Sequence, residues 1–544
     1  MTAKNRIVLI CAICLMAAVV ILDVITVIPT TERLLDSDSS SEMVLAKHLH
    51  DTGQILSKDW YYSTELRVLN TQLVFAPLFS LTDDWHTVRA AGTLILQALL
   101  LLSFWYMCKA ADQGWITRLI GGAMLLLPTS VAYGRIVLYQ TFYIPHVALS
   151  FLITALFINA VKQLDKTKGE RGKLILYMIL LAVVSFVSGM GGMRQMAVTI
   201  LPLWVVNGVG WIGRRKSETP EKWGGIGSFG VLAAASAAFM GGLLINYLLG
   251  KEYHFLDSSF GVGLYEGRLN LIGYSMLHFF GFRTGANGEW LPGVSPLTIG
   301  ICAILWIHLI RKEWKPLSGE RVILWMFPAC MLVACGAVFF SSKTRSVRHI
   351  LMFAMWFIPF FPILLHNRQK YVRILSAVCV VCFLGNGVLN TWFFRDPASF
   401  PQRYDGNAGC MDTEVTVKME PLVQKLMDES YDMGYATYWE CNVVTEMSNG
   451  KIPMIGIVVQ EDGSVSSDVW LTLASYRKVT PEKPFAIISG DLCDAFEKSE
   501  AGARCTLIWD DPAGSFRAYA VNDPAEVRTL FHIDDTADGT GTNP

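Results

Sequence analysis

Residues 7–28 read IVLICAICLMAAVVILDVITVI, and from residue 36 the chain continues Asp36-Ser37-Asp38-Ser39-Ser40-Ser41-Glu42. The first stretch carries one charge, Asp23, and follows Lys4 and Arg6. A bilayer-spanning helix needs about 20 mostly apolar residues, because hydrocarbon offers the backbone no outside hydrogen-bond partner. The stretch is too long for a signal-peptide core and lacks a small-residue cleavage site, so it reads as an uncleaved first span. Working outward, about ten further apolar stretches follow, centred near residues 97, 125, 150, 183, 204, 238, 303, 331, 357 and 382. The split near Arg135 is the least sharply marked. Composition agrees: of 544 residues 52% are hydrophobic and 17% charged, and the mean hydropathy is +0.39. Ordinary soluble domains carry about 25% charged residues. The shortfall argues against a soluble enzyme, a disordered chain or a nucleic-acid binder.

Basic residues set the expected topology. With a cytoplasmic N-terminus, about 20 Lys and Arg fall in inner loops and about 8 in short outer loops, as the positive-inside rule requires. Residues 29–86 then form a long first outer loop, and the chain after about Phe394 also lies outside. No repeat of 20–50 residues and no inverted pair of halves is visible.

The outer loop opens with acids and hydroxyls, and then turns amphipathic. Ser37 or Asp38 is the expected N-cap of a helix, with Glu42 in its first turn. Asp38 and Glu42 share one helix face, and Asp36 lies just before. Carboxylates gathered outside a membrane suit a general base or a cation site, although a helix cap has the same composition. Further on, Trp60-Tyr61-Tyr62-Ser63-Thr64-Glu65-Leu66-Arg67 fits an interfacial anchor. Its aromatics could equally stack on a sugar, with Glu65 and Arg67 on hydroxyls.

A first span, a long acidic outer loop, an amphipathic interfacial helix and many later spans together resemble the GT-C glycosyltransferase superfamily. The resemblance is nearest to bacterial relatives of protein O-mannosyltransferases and lipid A aminoarabinose transferases. Asp38-Ser39-Ser40-Ser41-Glu42 stands where that superfamily has its first-loop acidic motif. Gly434-Tyr435-Ala436-Thr437-Tyr438-Trp439, then Asn442 to Thr445 and Ser448-Asn449-Gly450-Lys451, resembles the tail of bacterial members. The mannosyltransferases carry adjacent acids, whereas three serines separate Asp38 from Glu42. The resemblance implies a polytopic α-helical membrane protein of about eleven spans with an extracytoplasmic α/β domain. It also implies transfer of a sugar from a polyprenyl-phosphate donor to an acceptor glycan, lipid or protein on the outer face. Asp38 is then the expected base, Glu42 supports it or binds a divalent cation, and Asp36 lies nearby. The alternative is a transporter or flippase for lipid-linked sugars, and a non-catalytic scaffold is a third.

Such chemistry needs cations for the departing phosphate. Outer-face candidates are Arg135, Arg194, Arg283, Arg345 and Arg348, with His349 beside the last; Trp60, Tyr61 and Glu65 are candidates for substrate contact. Arg194 ends the turn Ser188-Gly189-Met190-Gly191-Gly192-Met193-Arg194, whose glycines would let N–H groups approach a phosphate. The run Ser341 to His349 holds three cations and no acid, against the positive-inside trend. Three motif matches are set aside. Cys11 to Cys14 and Cys379 to Cys382 match C-x-x-C inside apolar spans without charged partners. Gly225 to Gly230 matches G-x-G-x-x-G with no preceding strand. No P-loop is present.

From Arg395 onward the chain holds 12 basic and 25 acidic residues, so a cationic membrane part (1–394) carries an acidic outer domain (395–534) and a polar tail (535–544). Thr413 to Tyr431 reads as a helix. Tyr435–Trp439, Ile452–Val459, Phe485–Ser489, Cys505–Trp509 and Phe516–Val521 read as strands. Cys410, Cys441, Cys493 and Cys505 could pair outside the cytoplasm, Cys493 with Cys505 being nearest in sequence, or stay as thiols.

Overall fold

The computed structural model describes residues 3–63, 66, 68–164, 171–214, 223–255, 269–281, 283–284, 290–291, 293–312, 317–340, 347–395 and 415–533. Eight helices among them are long and apolar enough to cross a membrane, and three shorter apolar helices, Trp115–Leu126, Ser295–Arg311 and His349–Leu364, accompany them. These eleven segments coincide with the eleven apolar stretches of the sequence. The protein is a polytopic α-helical membrane protein with a C-terminal sheet region.

The chain forms two compact units. The first comprises Met1–Thr30, Thr93–Asn246 and Phe260–Met411 and holds the apolar helices. Many of its apolar side chains are exposed, as they must be against lipid: Ile7, Ile21, Leu102, Leu332 and Val381 among them. Small residues let the spans approach closely. A Cβ at Gly189 would lie 2.1 Å from the Phe239 carbonyl oxygen, and one at Gly242 would lie 1.8 Å from that of Phe186. The helices Arg171–Gly189 and Ile226–Gly250 therefore cross backbone to backbone.

The region around Arg135 is a broken segment. Trp115–Leu126 stops, Val131–Gly134 restarts, Arg135–Tyr139 makes a wide π-type turn, and Ile144–Lys162 forms the next long apolar helix. A break inside hydrocarbon exposes carbonyls that need donors. Asn390 donates to Pro128 O at 2.9 Å, and Asn386, one turn earlier on the last span, donates to Thr129 O. The Tyr133 hydroxyl donates to Leu125 O at 2.9 Å. Asp23 is buried in the same unit and accepts a 3.1 Å hydrogen bond from Gln97.

The second unit comprises Thr31–Gly92, Tyr247–Ser259 and Asp412–Pro544, so the segment after the first span and the C-terminal chain fold together. Its centre is a six-stranded sheet: β1 (Met433–Ala436), β2 (Met454–Val459), β3 (Val465–Asp468), β4 (Pro484–Ser489), β5 (Cys505–Asp510) and β6 (Phe516–Val521). The spatial order is β3-β2-β1-β4-β6-β5. β1 runs parallel to β2 and β4, and the remaining pairs are antiparallel. One core cluster packs Met419 and Leu422 of the helix Val415–Asp428 and Val444 of the helix Tyr438–Met447 with Ile487 of the sheet. The other packs Tyr435, Ile457, Phe496 and Phe531.

Two local expectations are corrected. The expected strand through Trp439 ends at Ala436, and Tyr438 opens a helix instead. Thr437 causes the switch: its carbonyl accepts the Glu440 N–H at 3.1 Å, and its hydroxyl donates to the Glu440 carboxylate at 2.7 Å. β3 is an additional strand, formed because Asp462-Gly463 turns the chain back, with Gly463 at φ +85°. Cys441, Cys493 and Cys505 are free thiols, so the suggested Cys493–Cys505 bridge is absent. Cys410 and the tail 535–544 lie outside the described residues.

Candidate functional site

The acidic loop motif forms the head of the helix Ser37–Thr52. The expected cap, Ser37 or Asp38, is replaced by Asp36, which is extended (φ −140°, ψ 164°) where the next residues are helical. Its carboxylate accepts the Ser39 N–H at 2.8 Å, while the Ser39 hydroxyl accepts the Asp36 N–H at 3.2 Å. That reciprocal pair satisfies two donors the helix would otherwise leave orphaned. Starting one residue earlier than expected, the helix carries Asp38 in its first turn and Glu42 one turn on.

Asp38 is half-buried, and its Oδ1 accepts a hydrogen bond from the Tyr438 hydroxyl at 2.6 Å. Glu42 is buried, and its Oε2 accepts from the Thr71 hydroxyl at 2.5 Å. Glu42 also lines a pocket of about 20 Å³ with Trp60, Tyr62, Ser63, Asn70 and Gln72, room for a water or two. The two acids thus share a helix but meet different neighbours.

Arg89, Glu446 and Asn442 secure this turn, and the first two went unremarked in the sequence. Arg89 is 2% exposed and makes a two-pronged ion pair with Glu446, both contacts at 2.5 Å. One Arg89 nitrogen also donates to the Ser39 carbonyl at 2.9 Å. Asn442 donates to the Ser37 hydroxyl at 3.2 Å and to Leu471 O at 3.3 Å. The signal for Arg89 was a guanidinium one turn inside an apolar helix, Trp85–Ala110. Tyr438, Asn442 and Glu446 stand four apart, a helical period hidden while the segment was read as ending a strand.

The same unit holds a cleft of about 470 Å³ whose charged lining is Glu32, Arg33, Asp84, His86, Glu420 and Glu446. That volume lies within the usual span of small-ligand sites, about 300–1,000 Å³. Trp60 and Tyr61 are 1% and 5% exposed, so their faces pack on protein. Trp60 bridges to Leu473, and Tyr61-Tyr62 pairs with His254-Phe255 as a short parallel ladder.

In the membrane unit, Arg194 and His349 converge on the buried ring of Tyr143. The guanidinium carbon lies 5.5 Å from the ring centroid, and the imidazole centroid lies 6.3 Å away, edge-on. The glycine turn before Arg194 uses its own donors: the N–H groups of Met190, Gly191 and Gly192 bond to Phe186, Ser188 and Gly189 carbonyls. Gly192 supplies the positive φ, +95°, that the turn demands. Glu65 and Arg345 lie outside the described residues. So do the side chains of Arg283, in a two-residue strand, and of Arg348, on the helix Val347–Ala354. Among the described residues no three His, Cys, Asp or Glu side chains gather as metal ligands.

No protein-family model matches the chain, and no curated protein matches it in sequence. Its fold does match solved structures. ArnT from Cupriavidus metallidurans in the apo state aligns over 96% of this chain and 99% of its own, with a TM-score of 0.54 and 11% identity. The same enzyme bound to undecaprenyl phosphate aligns over 100% of both chains, with a TM-score of 0.52 and 10% identity. At such identity the likeness is one of fold: from first span to C-terminal sheet, this chain matches the GT-C fold.

Proposed function

We propose that this protein is a membrane glycosyltransferase that moves a sugar from a polyprenyl-phosphate donor to an acceptor on the outer face. The observation that carries this is full-length agreement in fold with ArnT bound to undecaprenyl phosphate, joined to an acid in the first helical turn after the first span. The N-terminus is assigned to the cytoplasm and the C-terminal region to the outside, from the distribution of Lys and Arg.

In this reaction the acceptor hydroxyl attacks the anomeric carbon while Asp38 takes its proton. The bond from that carbon to the phosphate oxygen breaks, and the lipid phosphate leaves with the electron pair. Arg194, Arg345, Arg348 and His349 are assigned to hold it, because fixed cations stabilise the charge that develops there. Glu42 keeps the helix turn ordered through Thr71 or binds a cation beside Asp38. Glu65 and Arg283 are assigned to hydroxyl contacts, and the aromatics Trp60 and Tyr61 shape the loop beneath them. The cleft lined by Arg33, His86 and the acids Glu32, Asp84, Glu420 and Glu446 suits a polyhydroxylated acceptor with charged substituents.

Purified protein incubated with an undecaprenyl-phosphate-linked sugar and a membrane extract as acceptor source tests the proposal. Transfer is expected, and Asp38→Asn should lower kcat by about 10²–10⁴-fold. Activity that survives Asp38→Asn together with Glu42→Gln would overturn the assignment. Movement of the intact donor across vesicles without transfer would favour a flippase.

A further inference from the structure

The helix Tyr438–Met447 presents Tyr438, Asn442 and Glu446 four residues apart, along one face. Each governs one of three consecutive residues at the head of the outer-loop helix. Asn442 bonds the Ser37 hydroxyl, Tyr438 bonds the Asp38 carboxylate, and Glu446 holds Arg89, which bonds the Ser39 carbonyl. Contacts at 37, 38 and 39 fix a turn in all directions, where any one would leave a hinge. The three grips come from a segment about 400 residues away, so helix capping alone does not explain them.

We infer that this stripe positions the base, with the Tyr438 hydroxyl aiming the Asp38 carboxylate and holding it ionised. The inference rests on Asp38 being the base of the proposed transfer. The physical case is direct. A phenol O–H at 2.6 Å from a carboxylate oxygen has the length of a charge-assisted hydrogen bond. Such a donor stabilises the ionised form of the carboxylate. Anchors on both neighbours, at the Ser37 hydroxyl and the Ser39 carbonyl, stop the side chain from swinging, as preorganised catalysis requires. Tyr438 is therefore a positioning residue, acting through Asp38. Other charged or titratable groups on the packed elements are the cap Asp36, then Glu42, Lys47, His48, His50 and Asp51 on the same helix, Glu440, Cys441 and Glu446 beside Tyr438, and His86 and Arg89 in the first turns of the second span.

Dicyclohexylcarbodiimide, which adds to protonated carboxyl groups, gives a readout that needs no substrate. The full-length protein in nanodiscs is labelled across a pH series, and Asp38 and Glu42 adducts are counted by peptide mass spectrometry. Tyr438→Phe is expected to raise the Asp38 labelling midpoint by about one pH unit and leave that of Glu42 in place. Should that variant fail to fold, 3,5-difluorotyrosine at position 438 keeps the ring and hydroxyl. As the stronger acid it should lower the midpoint. An Asp38 midpoint that neither change moves, or that moves together with Glu42, overturns the inference. In the transfer assay Tyr438→Phe should reduce kcat about tenfold with KM within about twofold. Midpoints that shift in a protein without transfer activity would refute the base assignment and leave the positioning contact intact. Transfer that depends on Asp38 with unmoved midpoints would refute the positioning role alone.

Discussion

The Arg89–Glu446 pair is nearly sealed from solvent, so each charge depends on the other. Arg89→Met strands a carboxylate in the interior and should destabilise the protein by about 3–5 kcal/mol, measured by denaturant unfolding in detergent. Replacing both, Arg89→Met with Glu446→Leu, should recover much of that loss, because neither charge is then left unpaired. Glu440 makes a second, pH-dependent case. Burial pushes its carboxyl from 4.5 up to about 7, against the opposing hydrogen bonds from Thr437 and Ser489. The folded state then holds the proton more tightly than the unfolded chain does. The stability this lends is complete below about pH 4.5 and is lost as the pH rises through about 7. Unfolding measured between those limits should show stability falling with pH, and Glu440→Gln should flatten that slope. At this scale, legibility depended on sequence distance. Asp38 and Glu42 were visible because helical spacing operates inside one segment. The partner of Asp38 lies 400 positions away, and no local pattern could join them.

Elements were legible where a long periodic signal exists. Every apolar segment was found, since a span must be apolar over about 20 residues to satisfy its backbone in lipid. Short elements governed by one hydroxyl were not. Thr437 converts the expected strand end at Tyr438-Trp439 into a helix, and its composition gives little warning, because Tyr and Trp favour strands. β3, in contrast, was announced by Asp462-Gly463 and overlooked. The close crossing at Gly189 and Gly242 yields a prediction of its own. Gly242→Ala places a methyl 1.8 Å from the Phe186 carbonyl oxygen, so the two spans must separate. A loss of about 1–3 kcal/mol is expected, read as a lower melting temperature in detergent. Gly230→Ala on the same helix, where a Cβ meets open space, should leave melting unchanged.

For the whole molecule, we assign one orientation, with the N-terminus in the cytoplasm and the C-terminal region outside, from the distribution of Lys and Arg. Alkaline phosphatase fused to the C-terminus should be active in a bacterial host. A green fluorescent protein fused at the same place should stay dark. The reverse pattern would invert the assigned orientation and remove the acids from the outer face. The sequence carried this architecture through its spans and its charge division, yet it gave no sign that residues 31–92 and 412–544 share one core. Pairing between remote segments depends on side-chain complementarity, which no periodicity records.

That shared core has a consequence for how the protein is made. Met43, Val44, Leu45 and Leu49 are buried in the finished structure, and much of what covers them is the helix Tyr438–Met447. A ribosome adding about 5–20 residues per second needs roughly 20–80 s to bridge the 400-residue interval. Throughout that time the helix Ser37–Thr52 has its apolar side uncovered. A nascent chain in this state is a client for a holding chaperone, and a ribosome stalled after the last span leaves it a target for proteolysis.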